Sequence, residues 1–366
     1  MKIVVLTKHY VKNYGSVLQT LATQKVLGEI AEEVIIGNYV RPQAVGGNFI
    51  NAVLKNRKRN KVKDIIYKII LYPTIARWEK IFGDFVSNYL NVSDQVCYST
   101  EELYEKLPKA DVYCTGSDMV WNDETNGGFL PAYFLEFVPE GIKKISFASS
   151  FGKDTFTEEQ NKLLYSKLKS YDAISVREKS AVRVIEQLGL KAKNVLDPSL
   201  CVNKDFWKQF VSSNKQGDYL LVYQLTSNRQ FDNYAKTLAK KYGVKLVRIC
   251  TRYDNIIKPG VPVLLPSVEQ WITLFWHAKY IVTDSFHGTA FSINLNKEVV
   301  ALPPRQYESR LKSIMEVLQI DRYRSDYSDM DVFDTPIDYI EVNKKLNMER
   351  ECTNIFLWDA IGVARE

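Results

Sequence analysis

Residues 278–296 read AKYIVTDSFHGTAFSINLN, and the fold turns on how this stretch is read. Tyr280, Ile281 and Val282 are aromatic or β-branched, a short apolar run that suits a buried strand. Asp284 and Ser285 interrupt it. Gly288, Ala290, Phe291, Ile293, Asn294 and Leu295 then suit a helix, so the order is strand, acidic turn, helix. His287 and the first helical amides are therefore expected at the strand's carboxyl end, where open α/β sheets bind ligands. Unpaired N–H groups and the positive end of the helix dipole favour an anion there, and an imidazole adds a donor or a proton. A satisfied histidine near a strand end is the alternative that spacing alone leaves open.

The same rhythm extends in both directions. Upstream lie strand 219–224, helix 231–242, strand 244–249, a proline-rich passage 259–266 and helix 268–277; downstream lie strand 299–302 and helix 309–318. The first half repeats it: strand 2–7, a helix after Asn13 and Gly15, strand 33–39, helix 75–90, a helix start at Ser99, and strands 111–114, 144–148 and 172–176. The last of these brings Arg177 and Glu178 to its carboxyl end, and helices are expected over 157–168 and 180–188. Two successive β/α runs predict an α/β protein of two Rossmann-like, doubly wound domains facing a cleft. The break is expected near 198–208, giving domains 1–203 and 204–340, with 341–366 as a tail whose residues 355–363 form a helix packing back. A length of 366 residues agrees with two cores rather than one.

Composition narrows the class. A formal charge of +6 is mild, so no nucleic-acid partner is inferred, while an anionic small molecule or surface stays open. Cysteines 97, 114, 201, 250 and 352 form no CxxC pair and are odd in number, against a disulfide framework or zinc cluster and in favour of a reducing cytosol. The sequence starts on KIVVLT without a basic and apolar leader, and no apolar run reaches the roughly 20 residues of a membrane span, so a cytoplasmic protein is expected.

Three further stretches carry chemistry. Asn13 and Gly15 open a strand, turn and helix of Rossmann type, but no GxGxxG is present to support a dinucleotide. Gly116, Ser117 and Asp118 with Trp121 and Asn122 combine small polar groups with a ring at a strand end, either a sugar-binding platform or a turn beside a core tryptophan. The run KNRKRNKVK, 55–63, holds six cations in nine positions and leads into apolar residues 65–72. It is a solvated face, or it rests on an anionic membrane while the protein reaches a lipid-linked substrate. His277, inside WITLFWHAKY, reads as structural, and His9 lies just past the first strand.

NYGSVLQTLA at 13–22, TGSDMVWN at 115–122, ISVREKSA at 174–181, VLDPSL at 195–200 and VTDSFHGTAFS at 282–292 together resemble the polysaccharide pyruvyl transferase family, in order over about residues 2–320. The resemblance implies a GT-B-like pair of domains, phosphoenolpyruvate as donor, and transfer of the pyruvyl group to a sugar of a cell-surface polysaccharide or its lipid-linked precursor. The product is commonly a ketal, phosphate is released, and no metal or resident cofactor is implied. It further implies that Arg177 holds the donor, with Arg310 as a second anion clamp, and that His287 matches the histidine of the family's His-Gly motif. His287 is then the acid that protonates the donor, or it holds the phosphate while Asp284 or another carboxylate handles protons. Ser285, Gly288 and Thr289 complete the donor side; Asn13, Gly15, Ser117, Asp118 and Trp121 form the acceptor side. One departure stands out: where one branch of the family reads Arg-Leu-His-Gly, this chain has Ser285-Phe286-His287-Gly288, so Arg305 or Arg310 replaces the missing arginine, or the donor is bound differently. A nucleotide-sugar glycosyltransferase and a silent saccharide-binding paralogue are the competing expectations.

Overall fold

A computed structural model describes residues 1–41, 61–213, 217–304 and 308–363, with only the helical backbone for 61–70. It is α/β, and its named strands all pair in parallel. Two compact units emerge: unit 1 comprises 1–70, 83–201 and 349–366, and unit 2 comprises 71–82 and 202–348. The expected boundaries near 203 and 341 thus meet a less sequential division, because a segment around residue 75 groups with the second unit and the end of the chain with the first.

In unit 1, β1 (Lys2–Leu6) leads to α1 (Tyr14–Leu27), β2 (Glu33–Ile36), α2 (Lys61–Tyr89), α3 (Thr100–Lys106), β3 (Val112–Thr115), β4 (Lys143–Ser146), α4 (Glu158–Leu168), β5 (Ser175–Val176), α5 (Lys179–Gln187) and β6 (Lys193–Asn194). The main sheet has the order β2-β1-β3-β4, so strand order reverses between β1 and β3. That reversal leaves a crevice at the carboxyl ends of β1 and β3. One side of the sheet is covered by an aromatic core in which Trp121 stacks on Phe134 and meets Phe151 and Tyr171.

Unit 2 runs β7 (Tyr219–Tyr223), α6 (Arg229–Lys241), β8 (Lys245–Cys250), β9 (Val261–Leu264), α7 (Val268–His277), β10 (Tyr280–Thr283), α8 (Phe286–Asn294), β11 (Glu298–Ala301), α9 (Ser309–Leu318) and the first part of α10 (Tyr339–Ile361). Its order, β11-β10-β7-β8-β9, reverses between β7 and β10. α7 begins with a reciprocal cap, Ser267 Oγ accepting from Gln270 N while the Gln270 side chain accepts from Ser267 N.

Two elements depart from sequence expectation. The proline-rich passage contains β9, whose Pro262 pairs with Arg248. β9 is an edge strand, where a missing N–H removes no ladder bond. The polar stretch after residue 338 is helical for 23 residues, longer than the expected 355–363. Its C-terminal part is tied into unit 1: Thr353 Oγ1 accepts from Leu196 N at 3.2 Å, Arg350 Nε donates to Leu200 O at 2.7 Å, and Ile361 O accepts from Lys143 Nζ at 2.8 Å.

Between β8 and β9 the chain makes a 3-10 turn, Tyr253–Ile257, instead of a covering helix. The unit 2 portion of α2 lies against it, Trp78 Nε1 donating to Thr251 O at 2.9 Å and Thr74 Oγ1 accepting from Tyr253 N at 3.3 Å. No helix among the described residues is long and apolar enough to cross a membrane.

Candidate functional site

Each unit gathers buried polar groups at the carboxyl ends of its strands. In unit 1, Asn13 caps α1, its Oδ1 accepting from Gly15 N at 2.8 Å and Ser16 N at 3.4 Å. The cap sets Ser16 against the end of β3, where Ser16 Oγ donates to Asp118 Oδ2 at 2.6 Å, across the reversal between β1 and β3. The other Asp118 oxygen accepts from Met119 N at 2.7 Å. Asp118 has φ of 78° and Ala148, at the end of β4, has φ of 53°, left-handed conformations that cost energy in non-glycine residues. The turns that hold them meet: Asp118 bridges to Ser149, and Ser150 N donates to Asp118 O at 3.1 Å.

Arg177 ties the next strand ends together. Its Nη1 donates to Asp197 Oδ2 at 2.8 Å and its Nε to Glu178 Oε1 at 3.0 Å, with a side chain only 1% exposed. Asp197 also accepts from Ser117 Oγ at 2.9 Å and from Ser199 Oγ and N; Glu178 accepts from Ser150 Oγ at 2.7 Å. Burial alone would push the guanidinium's pKa down, but Glu178 and Asp197 outweigh it and hold the cation fully charged. Ser117, Ser150, Arg177 and Asp197 follow β3, β4, β5 and β6, so one guanidinium fastens four successive strand ends.

Trp121 requires a correction. Its ring is fully buried, its Nε1 donates to Tyr133 O at 3.0 Å, and aromatic neighbours surround it. No face is open to a sugar, so of the two readings the core tryptophan is the one found. His9 is also enclosed, with Nε2 3.3 Å from Asn38 Oδ1, and burial pulls its pKa down to about 4. His277 Nε2 lies 3.2 Å from Ser212 O.

In unit 2 the corresponding reversal falls between β7 and β10, and Asp284 bridges it. Its two oxygens accept from Leu225 N at 2.7 Å and Thr226 N at 2.9 Å, fixing the turn after β7. Burial raises the Asp284 pKa against the pull of those amides. Ser285 is the N-cap of α8: its Oγ accepts from Gly288 N at 3.2 Å, and its own N donates to Thr283 Oγ1 at 3.1 Å. Ser285 therefore has a local task.

His287 follows in the first turn of α8, 7% exposed, its ring 5.2 Å from that of Phe286 and perpendicular to it. Gly288 is demanded by proximity, since a Cβ there would lie 2.4 Å from Thr283 Oγ1 and 3.0 Å from the Tyr223 ring. The missing side chain lets the helix start sit directly on the ends of β10 and β7. Thr289 Oγ1 is enclosed with no hydrogen-bond partner among the described residues. Arg310 lies in the first turn of α9, partly buried, and Arg305 falls outside the described residues. Of the basic run 55–63, residues 55–60 likewise lie outside them, and only helical backbone is described for the rest.

Sequence reading passed over several members of these clusters. Asp197 and Glu178 sat in quoted motifs, VLDPSL and ISVREKSA, without a role. In unit 2, Gln224, Asp232, Arg248 and Lys258 form a connected polar group beside Asp284, and no local pattern announces it.

A search of curated proteins finds no match. Among solved structures, one described as trehalose-6-phosphate from E. coli bound with UDP-2-fluoro glucose is similar at TM-score 0.50 and 9% identity, covering 100% of both chains. A putative UDP-N-acetylglucosamine 2-epimerase from Listeria monocytogenes is similar at TM-score 0.50 and 10% identity, over 94% of this chain and 90% of the other. At such identities the likeness concerns the fold, which is GT-B-like. A family model described as polysaccharide pyruvyl transferase matches residues 13–305. That span takes in the strand reversal of unit 2 and all five resembling motifs, and the chain belongs to the polysaccharide pyruvyl transferase family.

Proposed function

We propose that this transferase moves the pyruvyl group of phosphoenolpyruvate onto two hydroxyls of a glycan, or of its lipid-linked precursor, as a ketal. The observation that carries the reading is the seat of His287: a buried imidazole in the first turn of α8, beside the amides of a helix start at the strand reversal of unit 2. Phosphoenolpyruvate brings a phosphate and a carboxylate, and a helix start accommodates either.

His287 is the acid in this proposal. It protonates the donor's methylene carbon, and C2 acquires oxocarbenium character. One sugar hydroxyl adds to C2, the C2–O bond to phosphate breaks, and a second hydroxyl closes the ketal. One hydroxyl proton restores the imidazolium and the other leaves with inorganic phosphate. Asp284, engaged by two amides, acts as a positioning residue for the turn after β7. On the acceptor side, Asp118 and Ser117 border the crevice of unit 1, and the strained backbone at Asp118 fits a functional position. Arg177, its guanidinium enclosed between Asp197 and Glu178, holds the strand ends that carry Ser117 and Asp118.

Incubation with phosphoenolpyruvate and candidate glycans, followed by phosphate release and product mass, tests this. A gain of one pyruvate less one water supports it. A hexose-sized gain from a nucleotide sugar, with phosphoenolpyruvate inert, overturns it.

A further inference from the structure

Two cations converge on one neutral oxygen in unit 2. Gln224 Oε1, just past β7, accepts from Arg248 Nη1 at 2.8 Å and from Lys258 Nζ at 3.2 Å. Arg248 is committed elsewhere too, its Nε to Pro259 O at 2.8 Å and its Nη2 to Asp232 Oδ1 at 2.7 Å. Lys258 is not. Among the described residues Gln224 is the hydrogen-bond partner of its ammonium, which leaves two of three N–H donors unclaimed.

The carboxylates that sense Lys258 are already engaged. Asp232 accepts from Arg248, and Asp284 accepts from the amides of Leu225 and Thr226. Nor is the lysine a freely solvated surface cation: it is partly buried, burial pulls its pKa down, and Arg248 anchors the next residue, Pro259, through its carbonyl. A half-enclosed ammonium with spare donors, held where β7 and β8 end and next to the turn that Asp284 fixes, is built to receive an anion.

We propose that Lys258 binds an anionic group of the donor in unit 2, supplying the positive charge that Ser285 does not. The anion is a phosphoryl or carboxylate group; that it belongs to phosphoenolpyruvate rests on the function proposed above. Lysine suits this position because its compact charge reaches the strand ends without the two-pronged geometry of a guanidinium. Ser285 is then released to cap α8.

Steady-state kinetics and calorimetric titration of the full chain test the assignment, with Lys258→Met, Lys258→Arg and Lys279→Met as variants. Lys279 is an exposed lysine of the same unit, paired with Asp218, and serves as control. Removing one charge-assisted hydrogen bond is expected to raise KM for phosphoenolpyruvate about 10- to 100-fold with kcat within about 3-fold, and arginine is expected to restore most of the affinity. Inorganic phosphate and pyruvate are titrated as separate probes, and the one whose binding weakens in Lys258→Met identifies the group held. Unchanged KM and unchanged binding of both probes in a folded Lys258→Met protein would overturn the proposal, as would an equal loss in Lys279→Met. If the native chain does not turn over phosphoenolpyruvate, the proposed function fails, but weaker phosphate or pyruvate binding by Lys258→Met still supports Lys258. If the native chain binds none of the three anions, Lys258 falls as well.

Discussion

Thr283 and Gly288 are in such close approach that a single added carbon on the glycine would come within 2.4 Å of the threonine hydroxyl. That hydroxyl cannot simply turn away, because it donates to Tyr223 O at 2.7 Å and accepts from Ser285 N. Gly288→Ala should therefore shift the start of α8 off the strand ends. The expected cost lies at the upper end of about 1–3 kcal/mol, with loss of turnover beyond what the stability change explains. Urea denaturation alongside kinetics checks it, and wild-type stability in the variant would show that the helix start has room to spare.

Ser285→Ala removes the cap of the same helix and should lower stability by about 1 kcal/mol. Ser285→Arg loses the cap in the same way while adding a positive charge. If Lys258 already serves the donor, the arginine gains little affinity, which titration with phosphoenolpyruvate will read.

Arg177→Met should be severe. It leaves Asp197 and Glu178 buried without their cation, and breaking such a pair typically costs about 3–5 kcal/mol. Equilibrium unfolding without any donor present is the measurement. A loss under about 1 kcal/mol would mean that the four strand ends hold together without the guanidinium.

His9 sets a pH dependence. It is neutral when folded, with its pKa drawn from 6.5 to about 4, so the unfolded chain takes up the proton first as pH falls. Its contribution is intact above pH 6.5 and drains away toward pH 4, reaching about 3 kcal/mol. His9→Gln should flatten the stability profile in that window, as thermal melts at stepped pH will show; an unchanged slope would assign the dependence to other groups.

His287→Ala should reduce pyruvyl transfer about 10²- to 10⁴-fold while the melting temperature moves little. In Lys/Arg→Gln at positions 55, 57, 58, 59, 61 and 63, flotation with anionic liposomes should be abolished if this run touches a membrane. Equal flotation of variant and native chain retires that contact.

How much of this was legible in the sequence differs by element. The ends of α7 and α9 coincide with residues 268–277 and 309–318 read from periodicity, because apolar spacing, and in α7 the Ser267 cap, are local signals. β9 was hidden by Pro262, since a proline argues against a strand unless the strand is known to be an edge. Trp121 shows the opposite failure: small polar residues beside a ring look alike whether the ring faces solvent or the Phe134 and Phe151 side chains. The His287 turn was found because its strand, cap and glycine are contiguous. The Arg248, Gln224 and Lys258 group was not, because those residues meet only once β7 and β8 are paired.

The two excursions of the chain carry a consequence for how the protein is made. Unit 2 includes 71–82, translated well before β7, whereas unit 1 includes 349–366, translated after all of unit 2. A nascent chain that has emerged as far as residue 300 can assemble the sheet of unit 1 but lacks Arg350, Thr353 and Ile361, which hold Leu200, Leu196 and Lys143. Ribosome-bound intermediates should therefore keep the first half protease-sensitive until residues 350–361 have emerged, and cutting the gene near codon 202 should yield two fragments that each miss a part held by the other.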